Sequence, residues 1–106
     1  MFARSVSLYL KADSIVRFTR AIEDEIIPLL REQKGFIDEI ILTVAGGMEV
    51  VGISLWDRKE NLELYNRDTC PQVWKTLANV IEGTPVVQTY EVTSSTFPQI
   101  AAHVAA

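Results

Sequence analysis

The sequence predicts an α+β domain of the ferredoxin-like kind, β-α-β-β-α-β, with helices on one face of a four-stranded antiparallel sheet. Three observations carry that expectation. Short stretches at 2–10, 36–44, 50–56 and 86–93 are rich in β-branched residues or alternate in polarity, as strands do. The stretches between the outer strands and the central pair keep helical spacing of apolar residues. Ala45-Gly46-Gly47 joins the central pair as a hairpin turn, since glycine tolerates positive φ.

The elements follow in order. In the first strand Phe2, Arg4, Val6, Leu8 and Leu10 share one parity and are expected to face the helices. Asp13 or Ser14 is placed to cap the next helix. That helix, over 15–34, carries the stripe Ile15, Phe18, Ile22, Ile26 and Leu29. Pro28 removes one hydrogen bond inside it and is expected to bend or split it near 24–27. Gly35 supplies the stop. The third strand has a filled parity, Val51, Ile53 and Leu55, and a hollow one, Gly52 and Ser54 ending in Trp56. Asp57 with Glu60 reads as a capping box for a short helix bearing Leu62, Leu64 and Tyr65, broken at 66–69. A further helix from Pro71 through Val73, Trp74, Leu77, Val80 and Ile81 is expected to stop at Gly83, before the last strand.

Residues 1–93 are thus one domain, and 94–106 a tail in which Phe97, Ile100 and Val104 form a weak helical stripe suited to docking on a partner subunit. The second sheet face, with Ser5, Ser7, Tyr9, Val51, Ile53, Leu55, Val87 and Thr89, is too apolar for water. Two sheets packed through it make a dimeric α/β barrel, so a homodimer is expected.

Composition bounds the function. The 106 residues are 48% hydrophobic, enough for a packed core. Fourteen acidic against 10 basic residues give a net charge of −4, which argues against nucleic acid or an anionic membrane as partner. No apolar run approaches a membrane span, no leader pattern opens the chain, and a single cysteine, Cys70, suits a reducing compartment. A soluble cytoplasmic protein is the expectation. There is no Cys/His cluster, phosphate-binding glycine loop or nucleophile elbow, so no metal, nucleotide or other cofactor is implied.

Lys34-Gly35-Phe36, Ser54-Leu55-Trp56-Asp57 and Tyr90-Glu91-Val92, within the same order of elements, resemble the dimeric α/β-barrel proteins of the antibiotic biosynthesis monooxygenase type. The resemblance covers nearly the whole chain from Phe2 to Val92. It implies a pocket inside each subunit, between the sheet and its own helices, with Arg4, Val6, Gly52, Ser54 and Trp56 against it. Such proteins include cofactor-free oxygenases of aromatic polyketides or quinols, and heme-degrading monooxygenases. The heme-degrading members use an asparagine, a tryptophan and a histidine where this chain has Val6, Tyr65 and Lys75, so heme degradation is rejected.

The expected function is therefore a cofactor-independent monooxygenase-like protein that binds a small aromatic or quinol-type molecule. The alternative is a non-catalytic ligand-binding or structural dimer of the same fold. Tyr65 is the foremost catalytic candidate, as an acid or a hydrogen-bond donor to substrate. Arg4, Val6, Gly52, Ser54, Trp56, Tyr65, Trp74 and Tyr90 are the pocket candidates. Each has a packing counterpart. Trp56 and Trp74 also suit the core, Gly52 and Ser54 also suit close helix approach, and Arg4 also suits a strand end paired with Asp38 or Glu91. Cys70 lacks a neighbouring histidine to act as base, and His103 stands alone in the tail.

Overall fold

The computed structural model describes residues 1–98. Its strands β1 (Phe2–Leu10), β2 (Phe36–Thr43), β3 (Glu49–Trp56) and β4 (Ile81–Glu91) form one antiparallel sheet in the order β2-β3-β1-β4. The helical layer comprises α1 (Ile15–Ala21), a π-helical segment (Ile22–Ile26), α2 (Ile27–Arg31), α3 (Lys59–Asp68) and α4 (Cys70–Leu77). This is the expected α+β ferredoxin-like arrangement. Ile100 and Val104, two of the three residues of the proposed tail stripe, and the lone histidine, His103, lie outside the described residues. Phe97 and Pro98 border a groove on the outer sheet face with Ile37, Ile40 and Leu55.

The first helical stretch divides as Pro28 requires. Its ring nitrogen cannot donate, and the backbone widens just before it: Ile27 N–H bonds to Ile22 O, five residues back. The wider turn keeps Phe18, Ile22, Ile26 and Leu30 on one buried face at strict four-residue spacing. A uniform α-helix would rotate that row away from the sheet. For the same reason the buried residue is Leu30 rather than Leu29; at the other end Ile15 is exposed and does not join the stripe. Ser14 occupies the N-cap, but its hydroxyl accepts from Arg17 instead of capping backbone N–H groups.

Three further boundaries depart from expectation. Asp57 does not cap α3; its backbone N–H bonds to Gly35 O at 2.9 Å and its carboxylate accepts from Asn61 Nδ2 at 2.8 Å. Helix α3 runs on through Asn66, Arg67 and Asp68, and Thr69 makes the break. Val80 and Ile81 do not extend α4. Lys11 N–H reaches Val80 O at 2.9 Å, and Ile81 pairs with Leu10 in the sheet. The final strand therefore begins five residues earlier than the sequence suggests, and Gly83 sits inside it, at φ +73°, where the register shifts.

Strand pairing sets up transverse rows on the helix-facing side. Phe2, Trp56 and Phe36 form one; Arg4, Ser54 and Glu39 the next; Val6, Gly52 and Ile41 the third. The rows hold together because β2 contains a bulge. Phe36 pairs with Trp56 and Asp38 with Leu55, leaving Ile37 as an extra residue. That one residue turns Glu39 and Ile41 to the same side as Phe36. Val87 and Thr89 pair with Val6 and Arg4, so they belong to the helix-facing side and not to the outer face. The outer face carries Val86, Gln88 and Tyr90 from β4, beside Ser7, Ser5 and Ala3. Tyr9, Ile40, Leu42, Val86 and Tyr90 are exposed on it.

Candidate functional site

A cavity of about 60 Å³ lies between the inner sheet face and the helices. Its floor is the second and third transverse rows: Arg4, Ser54 and Glu39, then Val6, Gly52 and Ile41. Its roof is Phe18, Ile22, Ile26 and Leu30 from the helical stretch, with Tyr65, Cys70 and Trp74 closing one end. A wider cleft of about 330 Å³, between the π-helical segment and β2, shares Phe18, Ile22, Glu39 and Ile41 as a common wall. The inner space suits a small group, and the cleft suits the body of a ligand ring.

Arg4 is the central polar group. It is only 7% exposed, and no carboxylate lies in ion-pair contact with it among the described residues. Neither Asp38 nor Glu91 is its partner, and it is not a surface strand end. Instead Nη2 donates to Cys70 Sγ at 3.1 Å, and the guanidinium carbon lies 5.5 Å from the Tyr65 ring centroid and 6.0 Å from that of Trp74. Aromatic faces attract the cation. Its Nε is buried without a hydrogen-bond partner. A buried cation satisfied only in part favours an anionic or electron-rich neighbour.

Glu39 lines the same cavity from the far side of Ser54. Burial pushes its carboxyl up to about 7, against the pull of Arg4 and with a smaller push from Asp38. It therefore changes charge near neutral pH, as a general base requires. Gly52 makes room for it: a Cβ there would stand 3.3 Å from Glu39 Oε1 and 3.3 Å from Ile41 Cδ1. Tyr65 behaves differently. Burial, and then the neighbouring Cys70, hold its phenol well above the ordinary range, so it is a donor and not a base.

Of the pocket residues named from sequence, Arg4, Val6, Gly52, Ser54, Tyr65 and Trp74 line the cavity. Trp56 does not. It is fully buried in the row next to the floor, its Nε1 donates to Ser54 Oγ at 2.9 Å, and its ring packs 5.6 Å from Phe36 and 4.9 Å from Tyr65. Tyr90 does not either. It is exposed on the outer face, where its hydroxyl donates to Gln88. Glu39 and Cys70 enter the site without having been candidates. The bulge concealed the first. The second sits at the first residue of α4, and only the fold brings it to Arg4, 66 positions away. Lys75 is exposed and does not line the cavity. Among the described residues, no three His, Cys, Asp or Glu side chains are grouped to hold a metal ion, and no helix is long and apolar enough to cross a membrane.

No family model matches the sequence, and no curated protein matches it. Solved structures do match in shape. A monooxygenase from the gene ActVA-Orf6 of Streptomyces coelicolor, in complex with Nanaomycin D, superposes with a TM-score of 0.75 at 14% identity, over 92% of this chain and 91% of that one. An antibiotic biosynthesis monooxygenase superposes with a TM-score of 0.68 at 12% identity, over 87% of this chain and 98% of that one. This chain has the antibiotic biosynthesis monooxygenase fold. A protein of unknown function from Nitrosomonas europaea shares it equally well, with a TM-score of 0.75 at 13% identity over 92% and 93% of the two chains. The antibiotic biosynthesis monooxygenase fold thus frames the site, while the cavity's own side chains must carry any statement about chemistry.

Proposed function

We propose that the protein binds a small hydroxy-aromatic molecule between sheet and helices and promotes its oxidation by oxygen without a cofactor. One observation carries the reading: Arg4 and Glu39 face a single apolar cavity from opposite sides of Ser54. Adjacent strands stand about 4.8 Å apart, so the two side chains spring from the floor roughly 10 Å from each other. A phenol edge fits that interval, with the ring body in the outer cleft. Glu39 takes the hydroxyl proton. Arg4, through its free Nε, holds the phenolate oxygen. The Tyr65 hydroxyl, held protonated, is a second donor. The phenolate is the electron-rich form that can pass an electron to oxygen. The Streptomyces coelicolor monooxygenase of this fold holds the ligand Nanaomycin D, which supports an organic guest.

The exposed outer face supports a homodimer. Ile40, Leu42, Tyr9, Val86 and Tyr90 surround the half-buried Val51, Ile53 and Leu55, and a second copy of the same sheet covers such a face symmetrically. Light scattering is expected to give twice the chain mass at micromolar protein; a monomer there contradicts the assembly.

Oxygen uptake with a panel of hydroquinones and anthrones tests the activity. Uptake above the uncatalysed rate, reduced at least about tenfold in Glu39→Gln, is expected, since general-base contributions run from about 100-fold upward. No uptake, with no thermal shift from any aromatic ligand, removes the reading. A thermal shift without uptake leaves the non-catalytic ligand-binding dimer in its place.

A further inference from the structure

The inner end of the cavity holds a nucleophile that phenol binding does not use. Cys70 is the chain's single cysteine and is buried. Arg4 Nη2 donates to its sulfur at 3.1 Å, and Tyr65 and Trp74 line the same cavity end. Arg4 is itself 7% exposed, and its Nε is a buried donor without a partner. Around these groups the walls are apolar, from Leu30, Val73 and Leu77. The space of about 60 Å³ admits a molecule of a few heavy atoms at this end and excludes an aromatic ring.

We propose that Cys70 is a peroxide-reactive thiol, oxidised by hydrogen peroxide that enters through the cavity and is held by Arg4. Cys70 Sγ forms a bond to one peroxide oxygen as the O–O bond breaks. Sulfur loses two electrons and becomes a sulfenic acid; the peroxide gains them. The thiol proton ends on the departing oxygen, which leaves as water. Arg4 acts twice. Nη2 donates to Sγ and holds it at the cavity end. Nε donates to the oxygen on which negative charge develops. With no second cysteine in the chain, the sulfenic acid cannot close an intramolecular disulfide, and a small external thiol must reduce it. This activity goes beyond the oxidation of phenols and does not depend on it.

The test treats the full chain with hydrogen peroxide, quenches aliquots into denaturant containing dimedone, which labels sulfenic acid once the chain is unfolded, and follows the intact mass. Labelling of Cys70 at least about tenfold faster than of free cysteine is expected, a difference of about 1.4 kcal/mol in barrier. Cumene hydroperoxide, too bulky for the inner space, is expected to lose that advantage. Arg4→Met, folded by circular dichroism, is expected to label at least about tenfold more slowly, the loss of a charged donor. Labelling no faster than free cysteine overturns the proposal. So does equal acceleration with both peroxides, and so does a folded Arg4→Met that labels at the parent rate. The comparison of peroxides on the unsubstituted protein decides the matter if Arg4→Met fails to fold.

Discussion

Trp56 Nε1 donates to Ser54 Oγ at 2.9 Å, two residues back on the same face of β3. The bond disposes of the one polar atom of a fully buried indole. It also fixes the place of Ser54 between Arg4 and Glu39. Trp56 supports the site from the adjoining row: its ring stands 4.9 Å from that of Tyr65, which closes the cavity end.

Ser54→Ala leaves the indole N–H buried without an acceptor. The expected loss is about 1–3 kcal/mol in urea unfolding, the desolvation penalty of one orphaned donor. A loss below about 0.5 kcal/mol would show that the indole finds another acceptor.

Gly35 joins the two ends of the site's frame. It holds φ at +82°, and a Cβ there would overlap the carboxylate of Asp57 and the side chain of Asn61. Gly35→Ala is expected to destabilise by about 2–4 kcal/mol, combining a positive-φ penalty of about 1–2 kcal/mol with overpacking. Thermal and urea unfolding check it. An unchanged midpoint would mean that Asp57 and Asn61 move aside freely.

Glu39 makes stability depend on pH. Its folded carboxyl titrates near about 7 because of burial, while the unfolded chain returns it to 4.5. Between those values the folded protein binds a proton that the unfolded chain releases. Its contribution is thus whole below pH 4.5 and declines as pH rises to about 7. The decline is on the order of 1–3 kcal/mol. Urea midpoints across that window are expected to fall in the parent protein and to flatten in Glu39→Gln. Parallel profiles for the two proteins would refute the assignment.

Much of this was legible in the sequence. Alternation in β1 and β3 placed Arg4, Val6, Gly52 and Ser54 on the helix-facing side, where they lie. Pro28 located the divided helix. The failures have local causes. A one-residue bulge at Ile37 reverses parity, so Glu39 could not be assigned a face from alternation alone. Val80 and Ile81 continue a helical spacing, yet pairing with β1 claims them for a strand. Tyr90 falls on the outer face through its register opposite Ala3. The approach of Cys70 to Arg4 is a long-range contact with no local signal.

Gly52→Val tests the space itself. The added methyls would displace the Glu39 carboxylate and Ile41, each 3.3 Å from the first added carbon. Binding of a phenol, read by tryptophan fluorescence, is expected to weaken at least about tenfold, or about 1.4 kcal/mol. The carboxylate can yield more easily than the sheet, so the fold is expected to persist. Unchanged affinity in a folded variant would place the ligand elsewhere.

The most direct measurement is the absorption spectrum of methyl 4-hydroxybenzoate with the protein, at a pH roughly one unit below the phenol's own pKa, where the phenol is mostly neutral in water while Glu39, titrating at about 7, is mostly ionised. With Glu39 taking the proton and Arg4 holding the oxygen, the bound molecule is expected to show the phenolate band, and Arg4→Met to abolish it. Saturable binding in which the phenol keeps its neutral spectrum would contradict deprotonation between Arg4 and Glu39.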